Sequence, residues 1–119
     1  MAAGSRMRRV NEVMREVIGS AISTELEDPR IGFVTVTAVD TSPDLRSARV
    51  YVSVIGDEAE RDATLAALRS SHGILQGVIA GELRMKRTPT LSFHYDESPE
   101  RGVRLLKLLE DEAGEGEEE

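Results

Sequence analysis

From Ser5 onward the apolar positions Met7, Val10, Met14, Val17, Ile18, Ala21, Ile22 and Leu26 return at intervals of three and four, the spacing of one stripe along an amphipathic helix. Ser5 is suited to cap its start. Asp28-Pro29 is expected to end it, because the proline ring disfavours α conformation in the preceding residue and has no amide hydrogen to donate. The pattern then shortens to alternation. Phe33 to Asp40 is rich in β-branched residues, and Arg49 to Ile55 sets Val50, Val52 and Val54 against Tyr51, Ser53 and Ile55. With the turn residues Ser42-Pro43-Asp44 between them, the two stretches predict an antiparallel hairpin.

Helical spacing resumes after Gly56-Asp57, where Asp57 can act as N-cap and Glu58 and Glu60 favour a helix start. The stripe through Leu65 and Leu68 breaks at Ser70-Ser71-His72-Gly73 and restarts with Ile74, Leu75, Val78, Ile79 and Leu83, which predicts two helices meeting at a kink. The second is expected to run to Arg87, with Pro89 closing it. Leu91, Phe93 and Tyr95 alternate with Ser92, His94 and Asp96 as a third strand. Ser98-Pro99 then opens a last helix whose apolar side is Val103, Leu105, Leu106 and Leu109. The Gly-Glu run after Ala113 cannot bury anything and is expected to be disordered. The reading is a single two-layer α+β domain over residues 5–112, helices on one face of a small sheet, followed by an acidic tail at 113–119.

Charge changes this picture less than its total suggests. The formal charge is −7, but seven acids fall between Glu110 and Glu119, and residues 1–109 hold 15 acids and 15 bases. Within that neutral body, bases gather at Arg6, Arg8, Arg9 and at Arg84, Lys86, Arg87, so an electropositive surface is compatible with an acidic protein. The absence of cysteine excludes disulfides, thiolate metal sites and cysteine nucleophiles. No apolar run approaches the roughly 20 residues of a membrane span, and no signal-peptide core follows the basic N-terminus. A soluble, cytoplasmic chain with no membrane partner is the expectation.

The element order, with two helices joined at a small-residue kink before the last strand, resembles the type II KH fold, a single-stranded nucleic-acid module. The wording of several stretches is more specific: Asp28-Pro29-Arg30-Ile31-Gly32-Phe33-Val34-Thr35-Val36-Thr37, Ser42-Pro43-Asp44-Leu45, Val50-Tyr51-Val52-Ser53-Val54, Leu83-Arg84, Pro89, Leu91, Phe93, Tyr95-Asp96-Glu97-Ser98 and Gly102. Together and in order they resemble the ribosome-binding factor A family over about Arg6 to Glu112. That resemblance implies a non-enzymatic assembly factor, a KH-like domain with an extra C-terminal helix. It would bind the free small (30S) ribosomal subunit and aid late maturation and 5′-end processing of 16S ribosomal RNA. It also implies a cytoplasmic monomer without cofactor, with a maturation GTPase as an open candidate partner. The family's Ala-x-Gly kink corresponds here to Ser71, His72 and Gly73, with serine in place of alanine, and Gln76 stands where the family usually carries a basic residue.

The candidate RNA-binding residues are the kink (Ser71, His72, Gly73), the face Gln76, Gly77, Ala80, Arg84 and Arg87, and Arg8 and Arg9 at the N-terminus. On a helical wheel Ile74, Leu75, Val78, Ile79 and Leu83 point inward, leaving Gln76, Gly77, Ala80, Gly81, Arg84 and Arg87 toward solvent. Gly77 and Gly81 each cost of order 1 kcal/mol of helix propensity relative to Ala. A closely approaching phosphate backbone would account for them; packing beneath the N-terminal helix or a poorly ordered turn is the competing account. Gly73 is expected to need a left-handed or crowded backbone, and Ser71 offers a hydroxyl able to bond backward. Lys86 is ranked below Arg84 because it falls near the apolar side, where it would snorkel.

Phe33, Tyr51, Phe93 and Tyr95 all fall in strands, which does not support an RRM-like stacking platform. His72 and His94 have no partners at metal-ligand spacing, so no metal or cofactor is expected. His94 and Asp96 share one strand face, expected to be solvated, and are the sole basis for an enzymatic alternative. A protein-interaction domain without RNA binding, using the open sheet face or the terminal helix, is the other alternative.

Overall fold

The computed structural model describes residues 2–97, which form α1 (Ala2–Glu25), β1 (Phe33–Thr41), β2 (Ser47–Ile55), α2 (Glu58–Ser70), α3 (His72–Leu83) and β3 (Thr90–Tyr95). The helix expected from Ser98, its end at residue 112 and the tail at 113–119 lie outside the described residues. The sheet order is β1-β2-β3. β1 and β2 pair antiparallel, with Phe33 opposite Ile55 and Thr41 opposite Ala48. β3 lies parallel to β2, with Thr90 opposite Ser47 and Tyr95 opposite Val52. A parallel neighbour requires a long crossover, which α2 and α3 supply.

Residue alternation decides which sheet face the helices cover. Ala48, Val50, Val52 and Val54 of the central strand are buried on the helix side, together with Val36, Val39, Leu91 and Phe93. Met14, Ile18, Ala21 and Ile22 of α1, Leu65 and Leu68 of α2, and Leu75 and Ile79 of α3 close over them. Each of the larger side chains in this layer contributes on the order of 1.5–3 kcal/mol by burial. α1 runs antiparallel to β1: the Thr41 amide donates to Asn11 Oδ1 at 3.0 Å, and Gly19 faces Val36.

The element boundaries differ from the expected ones in ways the local chemistry explains. α1 begins at Ala2, so Ser5 lies within the helix rather than capping it; alanine is the strongest helix former, and Ala2 and Ala3 extend the helix N-terminally. It ends at Glu25 rather than at Asp28. There Asp28 Oδ1 instead accepts the Arg30 amide at 2.9 Å, a local turn that competes with helical bonding. α2 starts as expected, with a capping box in which Asp57 Oδ1 accepts the Glu60 amide and Glu60 Oε1 accepts the Asp57 amide, each at 2.8 Å.

The sheet face away from the described helices carries both charged and aromatic side chains. Asp40 and Arg49, register partners, form an ion pair at 3.3 Å, and the rings of Tyr51 and His94 lie 5.6 Å apart. Thr37 is an extra residue in β1, where the register shifts between Val36 and Ala38. Its hydroxyl donates to Asp96 Oδ2. Asp96 is only 6% exposed and its amide donates to the Val52 carbonyl at 2.8 Å. The expectation that His94 and Asp96 form a solvated pair is therefore incorrect: Asp96 is buried with hydrogen-bond partners, and His94 is half-buried, with Nε2 at 2.9 Å from Ser92 Oγ.

Candidate nucleic-acid interface

Three basic segments that are far apart in the sequence come together at one end of the domain. The Thr41–Asn11 bond fixes α1 so that its preceding turns, with Arg6, Arg8 and Arg9 exposed, project past the end of β1 beside the β1–β2 hairpin tip. The Thr90 amide donates to the Arg46 carbonyl at 3.0 Å, which ties the α3–β3 connection to the same tip. Between the two loops lies a cleft of about 450 Å³ lined by Asp44, Leu45, Arg46, Met85, Lys86 and Arg87. Residues 5–9, 42–47 and 84–90 thus place seven bases at this end against one acid, Asp44. Hydrogen bonds from the Ser42 hydroxyl and the Arg46 amide hold that carboxyl below its ordinary value.

Among the described residues, Leu45 and Arg84 are the only non-glycine residues with positive φ, at 61° and 51°. Both belong to the loops of this basic end. Left-handed backbone disfavours residues with a Cβ, and strained residues of this kind cluster where function constrains the chain. Arg84 ends α3, donating its amide to the Ala80 carbonyl at 3.1 Å. The expected helix to Arg87 is therefore too long by four residues. Arg84 and Arg87 are exposed, but in the connection after the helix rather than on its bare face. Lys86 is also exposed, and it lies in the connection after the helix rather than on the helix itself.

The break between α2 and α3 is a single residue. Ser71 has φ −97° and ψ 11°, donates its amide to the Ala67 carbonyl at 3.0 Å, and accepts the Ile74 and Leu75 amides at 3.1 and 3.2 Å. It makes no side-chain cap; the backward hydroxyl bond expected of it belongs to Ser70, whose Oγ donates to the Ala66 carbonyl at 3.0 Å. His72 is exposed and its Nδ1 donates to the Arg69 carbonyl at 3.0 Å.

Gly73 is inside α3, with no positive φ and open space where a Cβ would stand. Its expected role in an obligatory left-handed kink is thus incorrect. Gly77 and Gly81 are equally open, which also removes packing under α1 as their explanation. The three glycines and exposed Ala80 make a bare face with Ile74, which points outward at 53% exposure rather than inward as expected. Gln76 is half-buried, not solvent-facing: its Oε1 accepts the Leu91 amide at 3.3 Å and anchors α3 to the start of β3. Glu82 is the sole acid of α3 and lines a groove with Glu16 and Glu25 of α1.

Comparison with known proteins gives this geometry a context. A sequence model described as ribosome-binding factor A matches residues 6–109. The chain belongs to the ribosome-binding factor A family. The crystal structure of ribosome-binding factor A from Thermus thermophilus is similar at 31% identity and TM-score 0.70, covering 78% of this chain and 99% of that one. The solution structure of a putative ribosome binding factor A from Thermotoga maritima shares 31% identity at TM-score 0.71, covering 79% and 91%. A third similar structure is a homology model of the Thermus thermophilus ribosome-binding factor A fitted into a cryo-EM map of its complex with 30S. It is 32% identical, with TM-score 0.60 and coverage of 71% and 88%. The family is named for binding ribosomes rather than for a reaction. Among the described residues, no group of three His, Cys, Asp or Glu side chains could hold a metal ion, and no helix is long and apolar enough to cross a membrane.

Arg46 escaped the sequence-based site. Its signal was the turn chemistry of Ser42-Pro43-Asp44, which placed it at a hairpin tip; only the register of β3 shows that this tip meets Lys86 and Arg87.

Proposed function

We propose that this chain binds the free small ribosomal subunit through 16S ribosomal RNA, acting as a KH-like assembly factor in late maturation and 5′-end processing of that RNA. The observation that carries the reading is the gathering of Arg6, Arg8, Arg9, Arg46, Arg84, Lys86 and Arg87 at one end of a domain whose family is named for ribosome binding. Phosphate neutralisation supplies affinity there without base readout. The bare α3 face of Gly73, Gly77, Ala80 and Gly81, with the Ser71–His72 break at its start, lets a backbone approach closely. The similar Thermus thermophilus protein has been placed in a 30S complex, which supports the choice of partner.

The reading needs no cofactor and no catalytic group; it describes a cytoplasmic monomer. Co-sedimentation of the purified chain with purified small subunits tests the partner. Absence from the subunit fraction at low salt, where electrostatic binding is strongest, overturns it. Accumulation of 5′-extended 16S precursor in cells lacking the chain tests the processing role, and unchanged precursor levels overturn that part alone.

A further inference from the structure

The end of the domain opposite the basic loops has the inverse chemistry. Residues 25–33 and 55–62 carry seven carboxylates and two guanidinium groups, and both cations are already engaged. Arg30 pairs with Asp28 at 2.7 Å; Arg61 pairs with Glu58 at 3.7 Å and lies 4.4 Å over the Tyr95 ring. In the middle of this acidic frame, Phe33 and Ile55 stand opposite each other as register partners on the sheet face that none of the described helices covers. They are 77% and 45% exposed. Inward-facing Val34 and Val54 already supply the core at this level, so the fold does not require large apolar groups at positions 33 and 55.

Exposed aromatic and aliphatic side chains side by side mark a contact surface, and the charge around them selects the partner. Phosphates would be repelled by the excess carboxylates, whereas lysine and arginine side chains would be attracted and oriented. Resting on the ribosomal reading above, we propose that Phe33 and Ile55 are the docking point for a lysine- and arginine-rich protein segment that presents an apolar side chain. The domain would thereby hold RNA at one end and a basic protein of the same particle at the other.

The test uses the full chain with Phe33→p-benzoylphenylalanine, bound to purified small subunits and irradiated. The expected product is a covalent adduct with a subunit protein, mapped by mass spectrometry to a lysine- and arginine-rich segment. An adduct with 16S ribosomal RNA, with residues 98–119 of the chain itself, or with nothing overturns the proposal. If the wild-type chain does not sediment with subunits, the functional reading fails and this inference with it; if it sediments and position 33 reacts with RNA, this inference alone fails. A second measurement gives opposite signs for the two partner classes. Glu27→Lys with Asp62→Lys should weaken subunit binding several-fold, and tighter binding would indicate RNA at this end. Phe33→Ala with Ile55→Ala should weaken binding about tenfold without lowering the melting temperature, and unchanged affinity counts against the site.

Discussion

Arg84→Gly should make the domain at least as stable while weakening its hold on the subunit. Arg84 has φ 51° and ψ 43°, a left-handed conformation that costs a residue with a Cβ on the order of 1 kcal/mol. Glycine removes that cost but also gives the unfolded chain about 0.4–1 kcal/mol more entropy to lose. The net change lies between zero and a gain of about 1 kcal/mol, a rise in melting temperature of up to about 4–8 °C for a domain of this size. The backbone bond from residue 84 to the Ala80 carbonyl, 3.1 Å long, survives the substitution. Binding moves the other way. One lost phosphate contact lowers the magnitude of the log-affinity versus log-salt slope by about 0.7–0.9, equivalent to roughly 5–8-fold weaker binding at 0.1 M salt relative to a 1 M reference. The assay pairs thermal unfolding with subunit binding at four or more salt concentrations. Arg84→Gln with Arg87→Gln extends the series and should lower the slope by about 1.4–1.8. A melting temperature several degrees lower for Arg84→Gly would refute the cost assigned to its left-handed backbone, and an unchanged slope would refute the assignment of Arg84 to phosphate contact.

The α3 glycines allow a second separation of fold from binding: Gly77→Ala should stabilise by about 1 kcal/mol, since an added Cβ meets nothing within 4 Å, whereas Gly77→Leu should fold yet bind subunits less tightly. Phe93→Ala, in the buried centre of β3, should cost about 3–5 kcal/mol in denaturant unfolding, and a loss below 1 kcal/mol would contradict its core position. Thr37→Val leaves the buried Asp96 carboxylate without one of its donors and should cost about 1–3 kcal/mol, read from a urea transition. Asp28 is held at about 2 chiefly by the Arg30 side chain. Because this folded value lies below the ordinary 3.8, the pair's contribution is present above about pH 4 and is lost as pH falls toward 2. Arg30→Ala should return the Asp28 carboxyl toward its ordinary value in a carbon-detected titration.

The period of the apolar residues carried most of the fold, and the reasons for the failures are local. Met14, Ile18 and Ile22 in α1 and Val50, Val52 and Val54 in β2 occupy the positions their spacing predicts. Asp57 and Glu60 form a capping box because both partners lie within one turn. The end of α3 was illegible because Arg84-Met85-Lys86-Arg87 consists of good helix formers, and no glycine marks the left-handed residue. Ile74 faces out because α3 is apolar nearly all round, which leaves the wheel without a unique inner side. Asp96 reads as surface from alternation alone; its burial depends on Thr37, an extra residue whose bulge has no sequence signature. The basic end was visible only as separate clusters, since joining them requires the parallel placement of β3.

That parallel placement also sets an order of assembly. The β1–β2 hairpin closes a loop of five residues, 42–46, while the pairing of β3 with β2 must close the 34 residues from 56 to 89. The difference in loop-closure entropy is roughly 2 kcal/mol, so the hairpin can form well before the third strand arrives. On a growing chain, β3 is also the last of the described elements to be synthesised. Until it docks, the central strand has an unpaired edge, Arg69 lacks the Phe93 carbonyl that it binds at 2.8 Å, and the loop carrying Lys86 and Arg87 is not yet joined to Arg46. On the proposed reading, the RNA-binding surface is therefore completed only when β3, the last of the described elements, docks, and a chain interrupted before Thr90 would display its basic segments without assembling them into one surface.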